Sequence, residues 1–585
     1  MPAKPVWREI ELLLIVLVVG AIYFPRLTSL TIRGEESRWA RVAQEMIESG
    51  DWIVPRQQGS PFPDRPPLNS WAMIGVSKIT GELNLAAVRL PSALATLLTS
   101  LVIYLYGRNF LSRVGALAGA LAYPTMSQVL QLGRLAESDS LLTLCVTAAL
   151  FSWHFGYACR RDPRLAWCAG YAAAALAGLA KGPQGPVYFI AATVAYLCVE
   201  RDWRFLFSRW HLAGCMLFLA MIGTWQMPFY LSLDSANAQA VWSEGGDLAK
   251  RFQYSSVSRT LRHWGAYPFE VFACTFPWSF LLPALATRWL RRNVGAARPL
   301  FVFLLIACAV ALPTCWLPAD SRPRYFMSLY PCIAVLTGLI IERSWESQKI
   351  GWWQRSWDRF LKCAVCVTVV VALGVPTIRL LNIKGFSNLT SAIPVVFAYG
   401  IAMAGAAAAA AMLWSRRGQN PLRAETGILA VVGYWGLIYT GLVLSVQART
   451  ANDPSSVVAS VRAMIPPGES LVSFRPVHHL FAYYFRQPIQ LRPLTGARAP
   501  RNFNGNYFCF AEDPEMPKLE IPFAWECIAE ISCERGRSPN PVTKVIVGRR
   551  VSHTAVAMDD ESTDDVDRPL TSLDAHDQWF EDLFY

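Results

Sequence analysis

Apolar runs of membrane-crossing length recur along the chain, separated by short polar linkers. They fall at about 9–25, 87–106, 114–131, 140–158, 165–180, 185–200, 211–231, 269–287, 299–317, 325–341, 361–380, 392–414 and 425–446, about thirteen in all. A bilayer core takes about 20 apolar helical residues to cross. The pattern therefore predicts a mainly α, polytopic membrane helical bundle. The first run lacks a convincing signal-peptidase site and reads as a retained span. Between the first two runs lies a polar island, residues 31–71. Within it Trp39, Val42, Ala43, Met46 and Ile47 recur at helical spacing, and Gly50 stops the run. This predicts an amphipathic helix over 36–47 lying flat in the membrane interface. Pro66-Pro67 forces extended backbone, and 68–80 predicts a second apolar helix. After the last span, helices over 452–465 and 480–485 and strands over 470–474 and 543–547 predict a small α/β domain. The expected organisation is a membrane core over 1–446 with outer loops at 26–86 and 232–268, and an α/β domain over 447–550. A disordered acidic tail is expected over 551–585. The alanine run 405–411 predicts close helix packing.

Charge orients the bundle. The 585 residues are 53% hydrophobic and only 16% charged, with a net charge of +12. With Lys4 and Arg8 inside, alternate loops carry the bases: Arg108 and Arg113, then Arg160, Arg161 and Arg164, then Arg201, Arg204 and Arg209. The series continues with Arg288, Arg291, Arg292 and Arg298, then Arg343 to Lys362, and ends with Arg416, Arg417 and Arg423. Cytoplasmic loops carry such an excess, so the charge excess belongs to topology and no nucleic-acid partner is expected. The polar island, 232–268 and everything after about 447 then lie outside the cytoplasm. Most of the 14 cysteines sit in apolar runs without a CxxC pair, which argues against structural zinc. Outside the cytoplasm, two of Cys509, Cys527 and Cys533 could pair.

Charges on the outer side stand out against this background. The island holds Glu35, Glu36, Arg38, Asp64 and Arg65, and short outer loops hold Arg134, Glu137, Asp139, Lys181, Asp320, Arg322 and Arg324. Taken singly, each is as well read as an interfacial side chain. As a set they can line one polar cavity. Acids there can bind a divalent cation or act as general bases. Arg and Lys beside them suit phosphate. A lipid-phosphate substrate fits, although a transporter could present the same residues. The charges lie at loops rather than at span centres, which argues against a transporter or lipid flippase.

The motifs narrow the choice. Gly34-Glu35-Glu36-Ser37-Arg38-Trp39-Ala40, Gly50-Asp51-Trp52-Ile53-Val54-Pro55, Asp64-Arg65-Pro66-Pro67-Leu68 and Val88-Arg89-Leu90-Pro91-Ser92-Ala93-Leu94 occur in order. Gly133 to Asp139, Lys181-Gly182-Pro183 and Arg322-Pro323-Arg324-Tyr325 follow. This set resembles the bacterial polyprenyl-phosphate-dependent glycosyltransferases of the GT-C fold. It is most similar to the group that adds 4-amino-4-deoxy-L-arabinose to lipid A, relatives of the protein O-mannosyltransferases. The resemblance implies catalytic acids at Glu35, with Glu36 beside it, and at Asp139. This chain has Glu35 where the family has Asp, Trp39 where it has Tyr, Asp64 where it has Glu, and Arg65 where it has Lys. It implies phosphate contacts from Arg38, Arg65, Arg251, Lys181 and Arg324, and makes His263 family-like. Glu35, Asp64 and Asp139 become candidate ligands of a divalent metal, and no nucleotide cofactor is expected. The implied partners are a polyprenyl-phosphate-linked sugar donor, a lipid or protein acceptor and membrane lipids. The implied location is the bacterial inner membrane, N-terminus cytoplasmic and C-terminal domain periplasmic. The implied reaction is an inverting displacement at the anomeric carbon. A catalytically dead, lipid-binding homologue is the remaining alternative.

Overall fold

The computed structural model describes residues 5–62, 65–233, 256–319, 321–347, 351–381, 393–416, 420–450, 453–492, 494, 497–500, 503–512, 517–533 and 543–551. In chain order the helices are α1 Pro5–Tyr23, α2 Glu36–Ser49, α3 Leu68–Thr80, α4 Leu85–Gly107, α5 Arg113–Ala122, α6 Ser127–Leu132, α7 Ser138–Phe155, α8 Pro163–Lys181, α9 Gln184–Glu200, α10 Trp203–Leu206 and α11 Arg209–Ser232. They continue as α12 Val257–Cys274, α13 Arg288–Asn293, α14 Arg298–Trp316, α15 Tyr330–Glu346, α16 Ser356–Leu381, α17 Val395–Ser415, α18 Pro421–Leu437, α19 Leu444–Thr450, α20 Ser455–Met464 and α21 His479–Phe485. Among the described residues, eight helices are long and apolar enough to cross a membrane. The chain divides into two compact units. One comprises Met1–Leu30, Trp52–Val54 and Pro63–Ala451; the other comprises Thr31–Asp51, Pro55–Phe62 and Asn452–Tyr585.

The first unit is a helical bundle whose helix ends follow local chemistry. Asn84, Ser112, Asp162 and Ser208 each accept a backbone amide hydrogen bond at a helix start. α15 is buried along nearly its whole length, whereas Leu212, Met216 and Leu219 of α11 stay exposed, as lipid-facing side chains do. α5 and α15 approach closely because both carry glycine: a Cβ at Gly338 would run into the Gly115 carbonyl. The alanine run works the same way in α17, where Gly405 lies against Ala372 of α16 and Tyr434 of α18. Two expected spans are broken. The run 114–131 is two helices joined by a short 3-10 turn at Tyr123–Thr125. The run 269–287 divides between the end of α12 and a 3-10 segment, Trp278–Ala286. Pro277 and Pro283, which lack an amide hydrogen to donate, account for that division. Residues 257–268, expected as outer loop, are helical.

Charge also enters the spans. Glu11 of α1 is buried and pairs with Arg113, which also pairs with Glu425 of α18 at 2.8 Å. The Tyr104 hydroxyl of α4 donates to Glu11, and the Ser112 amide donates to Glu342 of α15 at 2.6 Å. These carboxylates sit near helix ends rather than in loops. They fasten α1, α4, α5, α15 and α18 together where the sequence pattern showed only apolar runs.

The second unit is an α/β body. Its five-stranded sheet runs β4 (Gln490–Leu491), β3 (Val472–Ser473), β5 (Tyr507–Glu512), β7 (Thr543–Arg550) and β6 (Trp525–Cys533). β3 pairs parallel with β4 and β5; β7 pairs antiparallel with β5 and β6. Val458, Val461, Phe481 and Phe485 of α20 and α21 pack on Val545, Val547 and Ile531 of the sheet. Phe474, Phe503, Phe508 and Phe510 form a second, aromatic cluster. No cysteine is in a disulfide among the described residues. β7 lies between β5 and β6, so Cys509 is about 10 Å from β6, two strand spacings away. That exceeds the reach of a disulfide. Cys527 and Cys533 sit on one strand, about 20 Å apart.

The same unit contains α2 and a small hairpin, β1 (Arg56–Gln57) with β2 (Ser60–Pro61). α2 starts and ends where its pattern predicts, with Gly50 at φ 70° closing it. Its apolar face does not lie on the membrane interface as expected. Trp39, Val42, Ala43 and Met46 are buried in protein, and α2 packs on α21.

Candidate functional site

Among the described residues, four of the predicted site residues, Arg65, Asp139, Lys181 and Arg324, belong to the helical unit. Asp139 lies in the first turn of α7 and Lys181 is the last residue of α8. α7 and α8 pack against each other, bringing those two ends together. An anion at a helix N-terminus and a cation at a C-terminus are both favoured by the helix dipoles. Lys181 Nζ is 2.6 Å from Asp139 Oδ1, with both side chains buried. The chain leaves Lys181 through Gly182 at φ 86°, a conformation that favours glycine. The Lys181 ammonium also lies 5.2 Å from the Tyr325 ring centroid.

A second pair stands beside the first. Glu137 precedes α7 and accepts from Arg324 Nη1 at 3.1 Å. The Ser92 hydroxyl holds the Glu137 carbonyl at 3.2 Å, and Gln184 holds the Tyr325 carbonyl at 2.9 Å. The charges of Lys181, Arg324 and Arg65 all act on Asp139. Among the described residues, cations of this kind suit a phosphate anion. Arg134, read as an outer-loop charge, plays no part in this cluster. It is buried, donates to the Leu130 and Ile22 carbonyls, and lies over the Tyr23 and Tyr439 rings. Arg89 of the Val88–Leu94 motif holds the Leu27 and Leu30 carbonyls at 2.9 Å each. His263 packs against Tyr267 within α12. Asp64, Arg251 and Asp320 lie outside the described residues.

Glu35, Glu36 and Arg38 belong to the other unit. Glu35 stands at the N-terminus of α2 and pairs with Arg38 at 2.8 Å, each side chain 32% exposed. Glu36 is buried and accepts from the Arg33 amide at 3.2 Å, so it serves the turn that launches the helix. Glu45, not singled out from the sequence, accepts from Arg41 at 2.9 Å and from the Gln58 and Gly59 amides at 2.8 and 3.1 Å. It fixes the hairpin to α2. Ser37 Oγ and His479 Nδ1 are 2.6 Å apart. Nothing in the sequence signals a contact between residues 442 positions apart. Burial first, then the charges of His478 and Arg38, hold the His479 imidazole well below its usual range, in its neutral form.

The metal expectation can be weighed against these partners. No group of three or more His, Cys, Asp or Glu side chains placed to hold a metal occurs among the described residues. Asp139 faces an ammonium and Glu35 a guanidinium, and the third expected ligand, Asp64, lies outside the described residues.

The many apolar helices make this a multi-pass membrane protein, and its backbone has the GT-C fold. The chain superposes on ArnT from Cupriavidus metallidurans bound to undecaprenyl phosphate with a TM-score of 0.67, at 19% identity, covering 92% of this chain and 97% of that one. The apo state of that protein gives 0.66. Residues 64–227 match the family described as dolichyl-phosphate-mannose-protein mannosyltransferase. The chain is also similar to the undecaprenyl phosphate-alpha-4-amino-4-deoxy-L-arabinose arabinosyl transferase of Pseudomonas aeruginosa, 28% identical over 312 residues, 52% of this chain and 54% of that protein. A second transferase of the same description, from Proteus mirabilis, is 27% identical over 335 residues, 56% and 58% of the two chains. The chain thus spans a little over half the length of the curated relatives it matches.

Proposed function

We propose that the protein is an inner-membrane glycosyltransferase that moves a sugar from an undecaprenyl-phosphate donor to lipid A or another envelope acceptor at the outer face, with inversion. The observation that carries this is the buried Asp139–Lys181 pair with Arg324 and Arg65 acting on it, on a fold similar to that of a protein bound to undecaprenyl phosphate. In the reaction the acceptor oxygen attacks the anomeric carbon while the bond from that carbon to the phosphate oxygen breaks. The electron pair leaves with the phosphate. Lys181, Arg324 and Arg65 neutralise the charge that grows there. Asp139 keeps the Lys181 ammonium oriented. The motif carrying Glu35 assigns that carboxylate to orienting or deprotonating the acceptor. An acceptor that is itself a phosphate is already an anion and needs no base. The N-terminus is cytoplasmic and the α/β unit periplasmic in this reading, as the loop charges suggest.

The test is transfer by purified protein from radiolabelled undecaprenyl-phosphate aminoarabinose to lipid A. The expected result is a labelled glycolipid that disappears in Lys181→Met. Lipid movement across vesicles without any glycosidic product would overturn the proposal.

A further inference from the structure

We infer that His479 is a positioning residue for α2: its imidazole holds Ser37, and with it the Glu35–Arg38 pair, in register with the α/β unit. This rests on the transferase reading above and names a residue that none of the motifs contains.

Ser37 sits between Glu36 and Arg38, is buried, and meets His479 Nδ1 at 2.6 Å. Its hydroxyl also lies 3.5 Å from the Gly34 carbonyl, in the turn that leads into the helix. One hydrogen bond therefore reaches the backbone that carries Glu35. The imidazole is itself held. It begins α21, where the neighbouring His478 ring caps the Leu480 amide at 3.2 Å, and the two rings lie tilted with centroids 4.1 Å apart.

Further ties run parallel to this one. α2 packs on α21. Gln44 donates to the Arg486 carbonyl at 3.4 Å, and the Val477 amide donates to the Gln58 side chain at 3.1 Å. The hairpin carrying Gln58 is bound in turn to Glu45 of α2. The motif helix is thus built into the α/β unit. Most of these ties attach the middle and far end of α2; the Ser37–His479 bond attaches the end that carries the charges. A neutral ring suits the place, since an imidazolium would stand beside Arg38. Reacting groups lose rate steeply when displaced, with a shift of about 1 Å costing about 10²-fold. Loosening one end of α2 should therefore show in turnover more than in folding.

The experiment uses the full chain in detergent, with undecaprenyl-phosphate aminoarabinose as donor and lipid A as acceptor, and separates kcat from KM. His479→Ala is expected to lower kcat about tenfold or more, with the donor KM within about twofold and an unchanged unfolding temperature. His479→Asn, whose amide reaches the Nδ1 position, recovers most of the rate. His479→Gln, whose amide reaches the Nε2 position, does not. Ser37→Ala matches His479→Ala, and the double variant is no slower than either. Lys544→Ala, on the exposed side of β7, transfers like the native chain. Hydrogen exchange of residues 34–49 reads the positioning without substrate: it quickens in His479→Ala and not in His479→Asn. Unaltered exchange and kcat in His479→Ala overturn the inference, as does loss in both His479→Ala and His479→Asn that tracks a fall in unfolding temperature. A native chain that transfers nothing would sink the transferase reading instead, and the exchange measurement would still judge the positioning.

Discussion

Two ion pairs carry acids that the motifs mark as catalytic, and they are built differently. Asp139–Lys181 joins two helix ends of the bundle, 42 positions apart, with side chains 3% and 5% exposed. Glu35–Arg38 joins two residues one turn apart on one helix, each 32% exposed. The buried pair is costly to break, because removing one partner leaves a charge without water or counter-ion. The half-exposed pair is cheap to break, because water replaces the partner. The first is thus a framework element that also sets the charge of its surroundings. The second is free to exchange its partner for a substrate group. Similar motif chemistry therefore has separate consequences for stability and for turnover.

Lys181→Met is expected to have the largest effect. It leaves Asp139 buried and unpaired, which should cost about 3–5 kcal/mol and abolish transfer; thermal unfolding in detergent and the radiolabel assay measure both. Adding Asp139→Asn sharpens the comparison. The double variant buries no lone charge, so it should regain most of the lost stability while transfer stays absent. If it does not, the pair is not the reason for the loss.

Glu35→Gln should do the reverse of Lys181→Met. Stability should change by less than about 1 kcal/mol, while transfer to a hydroxyl acceptor falls about 10²-fold or more. Transfer to an acceptor that is already a phosphate anion should fall less. Equal losses with both acceptors would argue against a proton-transfer role for Glu35.

A smaller effect follows from His479, whose imidazole faces Ser37 and Arg38 of α2 and His478 beside it. Its folded pKa lies below its unfolded value of about 6.5. The stability tied to the neutral ring is therefore fully present above about pH 6.5 and is lost as pH falls toward the folded value. The slope is at most about 1.4 kcal/mol per pH unit. Hydrogen exchange of residues 34–49 across pH 5–7 should show it, and His479→Asn should flatten it. The smallest effect is that of salt. Raising ionic strength from about 0.01 to 1 M shortens the screening length from about 30 to 3 Å. It should weaken Glu35–Arg38 and leave Asp139–Lys181 nearly unchanged, as the stability differences of Glu35→Gln and Asp139→Asn from the native chain at low and high salt would report.

Much of this protein is written locally. The apolar runs place nearly all the long helices to within a few residues, because each span satisfies its own backbone hydrogen bonds and needs only length and apolarity. α2 and α3 were legible for the same reason: periodicity, Gly50 and Pro66-Pro67 act within a turn or two of the chain. The motif positions of Glu35, Asp139 and Lys181 were legible as residue types in order. Strands β5 and β6 were not foreseen. A strand has no internal hydrogen bonds, and Tyr507–Glu512 becomes one only through pairing with β3 and β7. The failed disulfide has the same origin, since the placing of β7 between β5 and β6 is a matter of sheet order.

Local patterns along the chain set which segments are helical, where they stop, and which polar residues stand at their ends. Which of those residues meet was settled by packing. Asp139 faces Lys181 rather than Arg134 because α7 packs on α8. Trp39, Val42 and Met46 of α2 are buried in protein rather than exposed, and Ser37 finds His479 across 442 positions. Periodicity and caps act over a few residues, whereas a charge or hydrogen-bond partner is chosen by whichever element folding brings within 3 Å, and that choice has no local signature.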